Sequence, residues 1–282
     1  MNTRQEGALL VVATPIGNLG DLSPRATEAL AGADVIACED TRRTRKLLSH
    51  AGVKAKRLMA VHGHNEAAEV GRVLAHLGQR RRVVLVTDAG TPGVSDPGQR
   101  MVAAAADAGY EVVVVPGPSA VIAALVVSGL PTDRFVFEGF LPRKGRERSE
   151  RLAACAVERR TTVIYEAPNR LRHTVEDLLE ACGPQRRVAL TRELTKVHED
   201  VWRGSLEAAV DHVAEVEARG EHVVVLEGAT EVSATSDTDI EAALVARYDA
   251  GDDKRAALPA VAAELHVPKR RVYEIALRLG GA

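Results

Sequence analysis

The sequence has 282 residues, 46% hydrophobic and 27% charged, which at about 150 residues per domain predicts one large domain or two ordinary ones with a core that needs no metal or disulfide staple. Lys plus Arg is 37 against 39 Asp plus Glu, a net charge of -2, which excludes a globally basic nucleic-acid coat and confines any RNA or DNA contact to local patches. Three scattered cysteines, Cys38, Cys155 and Cys182, with no C-x-x-C spacing, argue against a disulfide framework and a thiolate zinc site and fit a reducing cytoplasm.

The first half alternates strand and helix. The apolar run Ala8–Ala13 predicts a strand, and Ser23–Gly32 predicts a helix opened by a Ser N-cap with Pro at the first helical position. Strands are expected at 35–38, 82–87 and 112–115, and helices at 44–51, 66–77 and 97–108, the helices closed by Gly52, Gly78 and Gly109. Continuous β-branched strands with helices between them indicate a doubly wound parallel sheet. The uncharged stretch Val112–Leu130 has the length of a membrane span, but Pro116, Gly117 and Pro118 cut it into a strand, a turn and a helix, so a soluble chain with no membrane association is expected. The N-terminal apolar run is too short for a signal peptide.

The second half reads as strands at 134–139, 162–166, 187–193 and 222–227 with helices at 149–158, 170–182 and 206–219, a second α/β domain on a mixed sheet. Residues 229–239 have linker composition, and 254–279 form a compact helical tail. The expected division is 1–117, 118–230 and 238–282.

Three loops stand at strand ends, where open α/β sheets bind ligands. Thr14–Asp21 carries Gly17 and Gly20, which permit close backbone approach, but has neither the dinucleotide fingerprint nor a Walker lysine, so NAD and ATP are disfavoured. Asp88–Gly98 packs three glycines and two prolines into eleven residues, a shaped loop whose free backbone N–H groups can hold a carboxylate or phosphate. Pro116–Ala120 joins the two halves and opens a helix whose N-terminus favours an anion. A cleft lined by all three is expected between the halves.

At these loops the sequence resembles the tetrapyrrole-methylase fold of S-adenosylmethionine-dependent methyltransferases. Within it, the chain is similar to the bacterial enzymes that methylate the ribose 2′-hydroxyl of a cytidine in the decoding centre of 16S ribosomal RNA. The stretches are TPIGNLGD (14–21), CEDTR (38–42), HGHNE (62–66), VTDAGTPGVSDPG (86–98), PGPSA (116–120), GLPTDRFVFEGFLPRK (129–144), YEAPNR (165–170) and LTRELTKVHED (190–200). Tetrapyrrole methylases usually carry G-x-G-x-G-D where this chain has TPIGNLGD, a departure that favours the RNA branch over a porphyrin or corrin substrate. The resemblance implies a two-domain fold with a parallel doubly wound N-domain, a mixed-sheet C-domain and a small helical tail. It also implies a homodimer and S-adenosyl-L-methionine in the cleft. Carried over residue by residue, the cofactor site comprises Pro15, Gly17, Asp88, Ala89, Gly90, Thr91, Pro92, Val94, Ser119, Ala120, Tyr165 and Leu194.

A ribose hydroxyl is a poor acid and needs a base, a cation or a metal to become a nucleophile. Glu39, Asp40, His62, Glu193 and Lys196 are the candidates, with Arg192 beside them. Each has a plain alternative: acids before an Arg pair form surface ion networks, and Arg192, Glu193 and Lys196 can pair with one another. His62-Gly63-His64 lacks a third ligand, so no metal site is expected. RNA contact falls to Arg42 and Arg43 in a run continuing through Arg45 and Lys46, and to Arg143, Lys144 and Arg146 in a loop continuing through Arg148 and Arg151. Phe135, Phe137 and Phe140 read as core. The tail resembles a helix-turn-helix whose second helix begins Lys269, Arg270, Arg271. The rival readings are a small-molecule methylase of the same fold and a DNA-binding regulator built around the tail. The expected partner is 16S ribosomal RNA in the 30S subunit, in the cytoplasm.

Overall fold

The structure is a computed structural model that describes residues 7–63, 65–215, 219–230, 237–265, 267 and 269–279. The chain divides into two compact units, Met1–Gly228 and Ala229–Ala282.

The first unit holds two five-stranded sheets. Sheet one contains β1 (Ala8–Val12), β2 (Val35–Cys38), β3 (Leu58–Ala60), β4 (Arg82–Val86) and β5 (Glu111–Val115), in the order β3-β2-β4-β1-β5 and parallel throughout. Its central strands β1, β2 and β4 are apolar and buried on both faces, which is what a parallel sheet wrapped by crossover helices requires, while edge strand β5 is partly exposed. One face packs on α1 (Pro24–Ala31) and α2 (Thr41–His50) through Leu30, Leu47 and Leu48. The other packs on α3 (Glu66–Gly78) and α4 (Gln99–Asp107) through Val73, Leu77 and Met101. The Ser23 cap is as the sequence predicts, its hydroxyl accepting from the Ala26 amide. The three-residue β3, too short to show a period, is absent from the sequence reading.

Sheet two contains β6 (Phe135–Phe140), β7 (Thr161–Glu166), β8 (Arg187–Arg192), β9 (Asp200–Ser205) and β10 (His222–Leu226), in the order β6-β7-β10-β8-β9. It is mixed: β6 and β7 run parallel and the other neighbours antiparallel. Helices α6 (Arg146–Val157), α7 (Leu171–Cys182) and α8 (Leu206–Glu215) cover its outer face. Helix α5 (Ala120–Ser128) covers the inner one, where Val121 and Leu125 pack with Ile16 from the loop after β1. Burying an isoleucine such as Ile16 contributes about 2 kcal/mol, and here it ties the two sheets together. Edge strand β9 is absent from the sequence reading because Asp200, Arg203 and Gly204 break its apolar alternation.

The parallel-plus-mixed α/β architecture matches the expected fold class. In the second unit, α9 (Asp237–Asp249), α10 (Lys254–Glu264) and α11 (Lys269–Leu279) pack around Ile240, Leu244, Val261 and Ile275. Helix α9 begins within the stretch read as linker. Its Asp and Thr residues occupy the first turn, where acidic groups suit the helix dipole. His266 and Pro268, read as the turn of a helix-turn-helix, lie outside the described residues. No helix among the described residues is long and apolar enough to cross a membrane.

Candidate active site

Strands β1 and β4 are neighbours in sheet one, so the loops that leave their C-terminal ends lie side by side. They are zipped by a two-way bridge: the Thr14 amide donates to the Gly90 carbonyl at 2.9 Å and the Gly90 amide to the Thr14 carbonyl at 3.1 Å. Gly90 (φ 79°) and Gly98 (φ 138°) adopt conformations that side chains disfavour, and a Cβ on Gly98 would stand 3.1 Å from the Gly93 nitrogen. The far end of this loop is fixed by Glu66. Its carboxylate accepts from the Gly98 amide at 2.9 Å and the Arg100 amide at 3.0 Å, capping α4 from another helix.

Between the two sheets lies a cleft of about 410 Å³, within the range of small-molecule sites. Of the residues carried over for a cofactor, Asp88, Ala89, Gly90, Thr91, Val94, Ser119, Ala120, Tyr165 and Leu194 line it. Pro15 and Gly17 line instead a confluent lobe of about 250 Å³, which shares Ile16, Arg43, Asp88, Ala89 and Glu221 with the main cleft. Pro92 is buried behind the loop.

The sequence reading missed Asp96, Phe140, Glu221 and His222, all of which line the cleft. For Glu221 and His222 the reason is topological. Strand β10 runs antiparallel to β7 and β8, with His222 opposite Glu166 and Arg192, so its beginning meets their ends. A search of C-terminal strand ends alone passes over it. Phe140 reaches the cleft through a register shift between Phe137 and Gly139. The extra residue puts Phe137 and Phe140 on one side, edge-on to the Tyr165 ring at 4.9 and 5.5 Å. Phe140 is 52% exposed and Phe135 37%, so neither is core as expected.

The proton-acceptor candidates separate cleanly. Glu39 lines the cleft and accepts the Thr87 hydroxyl at 3.0 Å. Asp40 instead caps α2 through the Arg42 amide and grips the Arg42 guanidinium at 2.7 Å, which holds its carboxyl well below the usual range. Lys196 bridges Glu193 at 2.8 Å and Glu221 at 2.7 Å. Burial alone would lower its ammonium, but hydrogen bonds to the two carboxylates outweigh that and raise it, so Lys196 is locked as a cation. Burial would raise Glu193, and Lys196 and the Glu221 amide outweigh it to lower the carboxyl. Both residues are therefore a strut: Thr195 Oγ1 accepts the Asn18 amide at 3.1 Å, joining the two halves beside Gly17. Arg192 leaves the reacting set by strand parity. It lines a small pocket with Asp200 and His212 on the face of sheet two that packs on α7 and α8, while Thr191 faces the cleft. His62 donates its amide to Asn65 and lines neither lobe; His64 lies outside the described residues. Among the described residues no group of His, Cys, Asp or Glu is arranged to hold a metal ion.

The basic residues also sort. Arg43 pairs with Asp88 at 3.4 Å on the shared wall, and Lys46 lines the smaller lobe. Arg143 and Lys144 are exposed, and Arg146 pairs with Glu150 at 2.6 Å in solvent. Arg148, read as part of the same basic run, is buried on Asp177 and Thr174, and Arg151 pairs with Glu138. In the second unit Arg270 pairs with Glu274, and Arg271 turns to Asp237, which Arg278 shares. Lys269 stays exposed.

A family model described as Tetrapyrrole (Corrin/Porphyrin) Methylases matches residues 8–210. The crystal structure of uroporphyrin-III-C-methyltransferase from Thermus thermophilus covers 78% of this chain and 94% of its own at TM-score 0.56 and 24% identity. A structure of that enzyme complexed with S-adenyl homocysteine covers 78% and 96% at TM-score 0.55 and 22% identity. Together these define the class: a methyltransferase of the tetrapyrrole methylase fold.

Proteins called Ribosomal RNA small subunit methyltransferase I are similar along most of the chain. That of Synechocystis sp. is 45% identical over 275 residues, covering 97% of this chain and 98% of its own. That of Escherichia coli O157:H7 is 42% identical over 279 residues, covering 98% and 96%. The chain belongs to the ribosomal RNA small subunit methyltransferase I family.

Proposed function

We propose that this protein transfers a methyl group from S-adenosyl-L-methionine to the ribose 2′-hydroxyl of a cytidine in the decoding centre of 16S ribosomal RNA, in the cytoplasmic 30S subunit. The observation that carries the reading is the pair of confluent lobes. The larger is apolar and acidic; the smaller is edged by Arg43, Lys46 and Lys196, and they share the wall at Ile16, Asp88 and Ala89. A ligand with two cationic centres and a flat heterocycle suits the first, a nucleotide with its phosphate the second. The names of the relatives support the RNA half.

When bound, S-adenosylmethionine supplies an electrophilic methyl on its sulfonium. The chain's residues do the rest. The Thr91 amide of the loop after β4 and the amides of the α5 N-terminus at Ser119 and Ala120 are the donors for a carboxylate. Tyr165, Phe140, Leu194 and Ile16 wall the heterocycle and exclude water. Holding two reactants in line supplies roughly 7–11 kcal/mol of such a barrier. Glu39 is the proton acceptor, since of the candidates read from the sequence it is the one that lines the main cleft, and it does so without an ion pair. Arg43 and Lys46 grip the flanking phosphate, with Arg143, Lys144, Lys269 and Arg270 as outlying contacts.

In this reading residues 1–117 and 118–230 act as the two domains forming the cleft walls and 238–282 as an RNA-binding appendage. Two copies pair through the apolar face of α5 and edge strand β5, where Ile122, Val126 and Val114 are 47%, 67% and 59% exposed. The test is transfer of labelled methyl from S-adenosylmethionine to 30S subunits lacking the modification, followed by nucleotide mapping. Label on a decoding-centre cytidine ribose is expected. Cofactor binding without labelled RNA would sink the substrate assignment and bring forward a small-molecule acceptor.

A further inference from the structure

The cleft holds more negative charge than its ion pairs neutralise. Glu39 arrives from the end of β2, Asp88 and Asp96 from the loop after β4, and Glu221 from the start of β10, and all four line it. Asp88 has Arg43 at 3.4 Å and Glu221 has Lys196 at 2.7 Å. Among the described residues Glu39 and Asp96 form no ion pair. The Thr87 hydroxyl, with a single proton to donate, gives it to Glu39 at 3.0 Å and only tempers Asp96. Nor is Asp96 free to swing away. Ser95 before it is held left-handed at φ 61°, and Gly98 after it is pinned by Glu66.

Resting on the S-adenosylmethionine reading above, we propose that Asp96, backed by Glu39, makes the cleft select by charge: it favours the sulfonium-bearing cofactor over the neutral thioether, S-adenosylhomocysteine, that transfer leaves behind. The two ligands share their adenosine, ammonium and carboxylate and differ by one methyl and one positive charge. Opposite unit charges a few ångströms apart in a partly dry cleft are worth about tenfold or more in affinity. Loss of that charge on transfer turns an attractive site into an indifferent one, which favours product release.

The selection has a pH signature. Burial, reinforced by Glu39, Asp88 and Glu221 and opposed by the Thr87 hydroxyl, pushes the Asp96 carboxyl up to about 6. Its charge is present above that pH and lost as pH falls through it. The other titratable side chains facing the cleft are Arg43 from α2 and Tyr165 from β7; Glu166 and His222 border it but stand in register with Arg192, on whose face His222 also lines the small pocket. Burial pushes Tyr165 up to about 12, so it keeps its proton in this range, and Glu166 is paired with Arg170 at 3.2 Å. Burial lowers His222, whose protonation in acid would act in the same direction.

Calorimetry on the full chain tests this, with S-adenosylmethionine and S-adenosylhomocysteine titrated separately at pH 8 and pH 5. The wild type should prefer S-adenosylmethionine by about tenfold or more at pH 8 and lose most of that preference at pH 5. D96N should bind both ligands about equally at both pH values with S-adenosylhomocysteine affinity little changed. E39Q should reduce the preference partially, and it provides a second route should D96N fold poorly. Equal affinities in the wild type at pH 8, or a pH-dependent preference that survives in D96N and so belongs to His222, would overturn the proposal. Failure of the wild type to bind either ligand would instead overturn the cofactor reading, and the proposal with it.

Discussion

Arg148 and Arg143 stand five residues apart in one basic run, and their neighbours give them opposite tasks. Arg148 is 5% exposed, with Asp177 at 2.5 Å and its guanidinium also donating to the Pro142 carbonyl and the Thr174 hydroxyl. Removing one partner of a buried pair leaves the other charge stranded, so R148A should cost about 3 kcal/mol in denaturant unfolding. R143A, at an exposed position, should leave stability unchanged. Under the proposed function it should weaken 30S binding and lower the slope of log affinity against log salt by about one. The sequence could not separate the two, because their difference lies in Asp177, on another helix. Arg192 teaches the same lesson through parity. Its motif was legible, but the pleat sends Thr191 to the cleft and Arg192 to the opposite face. Loop residues such as Asp88 to Thr91 were legible because a Gly- and Pro-rich turn after a buried strand has few other uses.

Two helices far apart in sequence set the shape of the loop from Asp88 to Gly98. Glu66 is the first residue of α3, yet its carboxylate satisfies amides at the start of α4, where a negative charge also suits the helix dipole. E66A should cost about 2–3 kcal/mol and speed hydrogen exchange at residues 98–102, whereas E66Q, which keeps an acceptor, should recover most of the protection. A correspondingly larger loss in S-adenosylmethionine affinity for E66A than for E66Q would tie the cap to the cleft; equal exchange in all three proteins would refute the role. The motif containing Glu66 was visible in the sequence, and its task was not, because the partner amides lie more than thirty residues away. Strand β9 and helix α9 were hidden for a simpler reason: short or edge elements carry charged and small residues that mask their period.

Helix α5 is apolar all round, so one side packs on sheet two while Ile122 and Val126 face out, as does Val114 of edge strand β5. A helix of that composition is expected to be covered on every side. V126E should convert the proposed dimer to a monomer in sedimentation or light scattering, with circular dichroism unchanged; a wild type that sediments as a monomer would dismiss the pairing. The fold class was legible from the order of strands and helices, because parallel crossovers leave few topologies. The union of the halves was not. It depends on Ile16 buried against α5, on the Asn18–Thr195 hydrogen bond, and on the bulge in β6. At that bulge Gly139 is left-handed at φ 64°, and a Cβ there would lie 3.2 Å from the Ser95 hydroxyl oxygen. The irregularity thus touches the opposite loop one residue before Asp96 while turning Phe140 toward Tyr165. The spacing of the walls is consequently set by how many residues β6 contains. Substitutions along this strand can preserve the gauge, whereas gaining or losing a single residue would reset aromatic wall and acidic loop together.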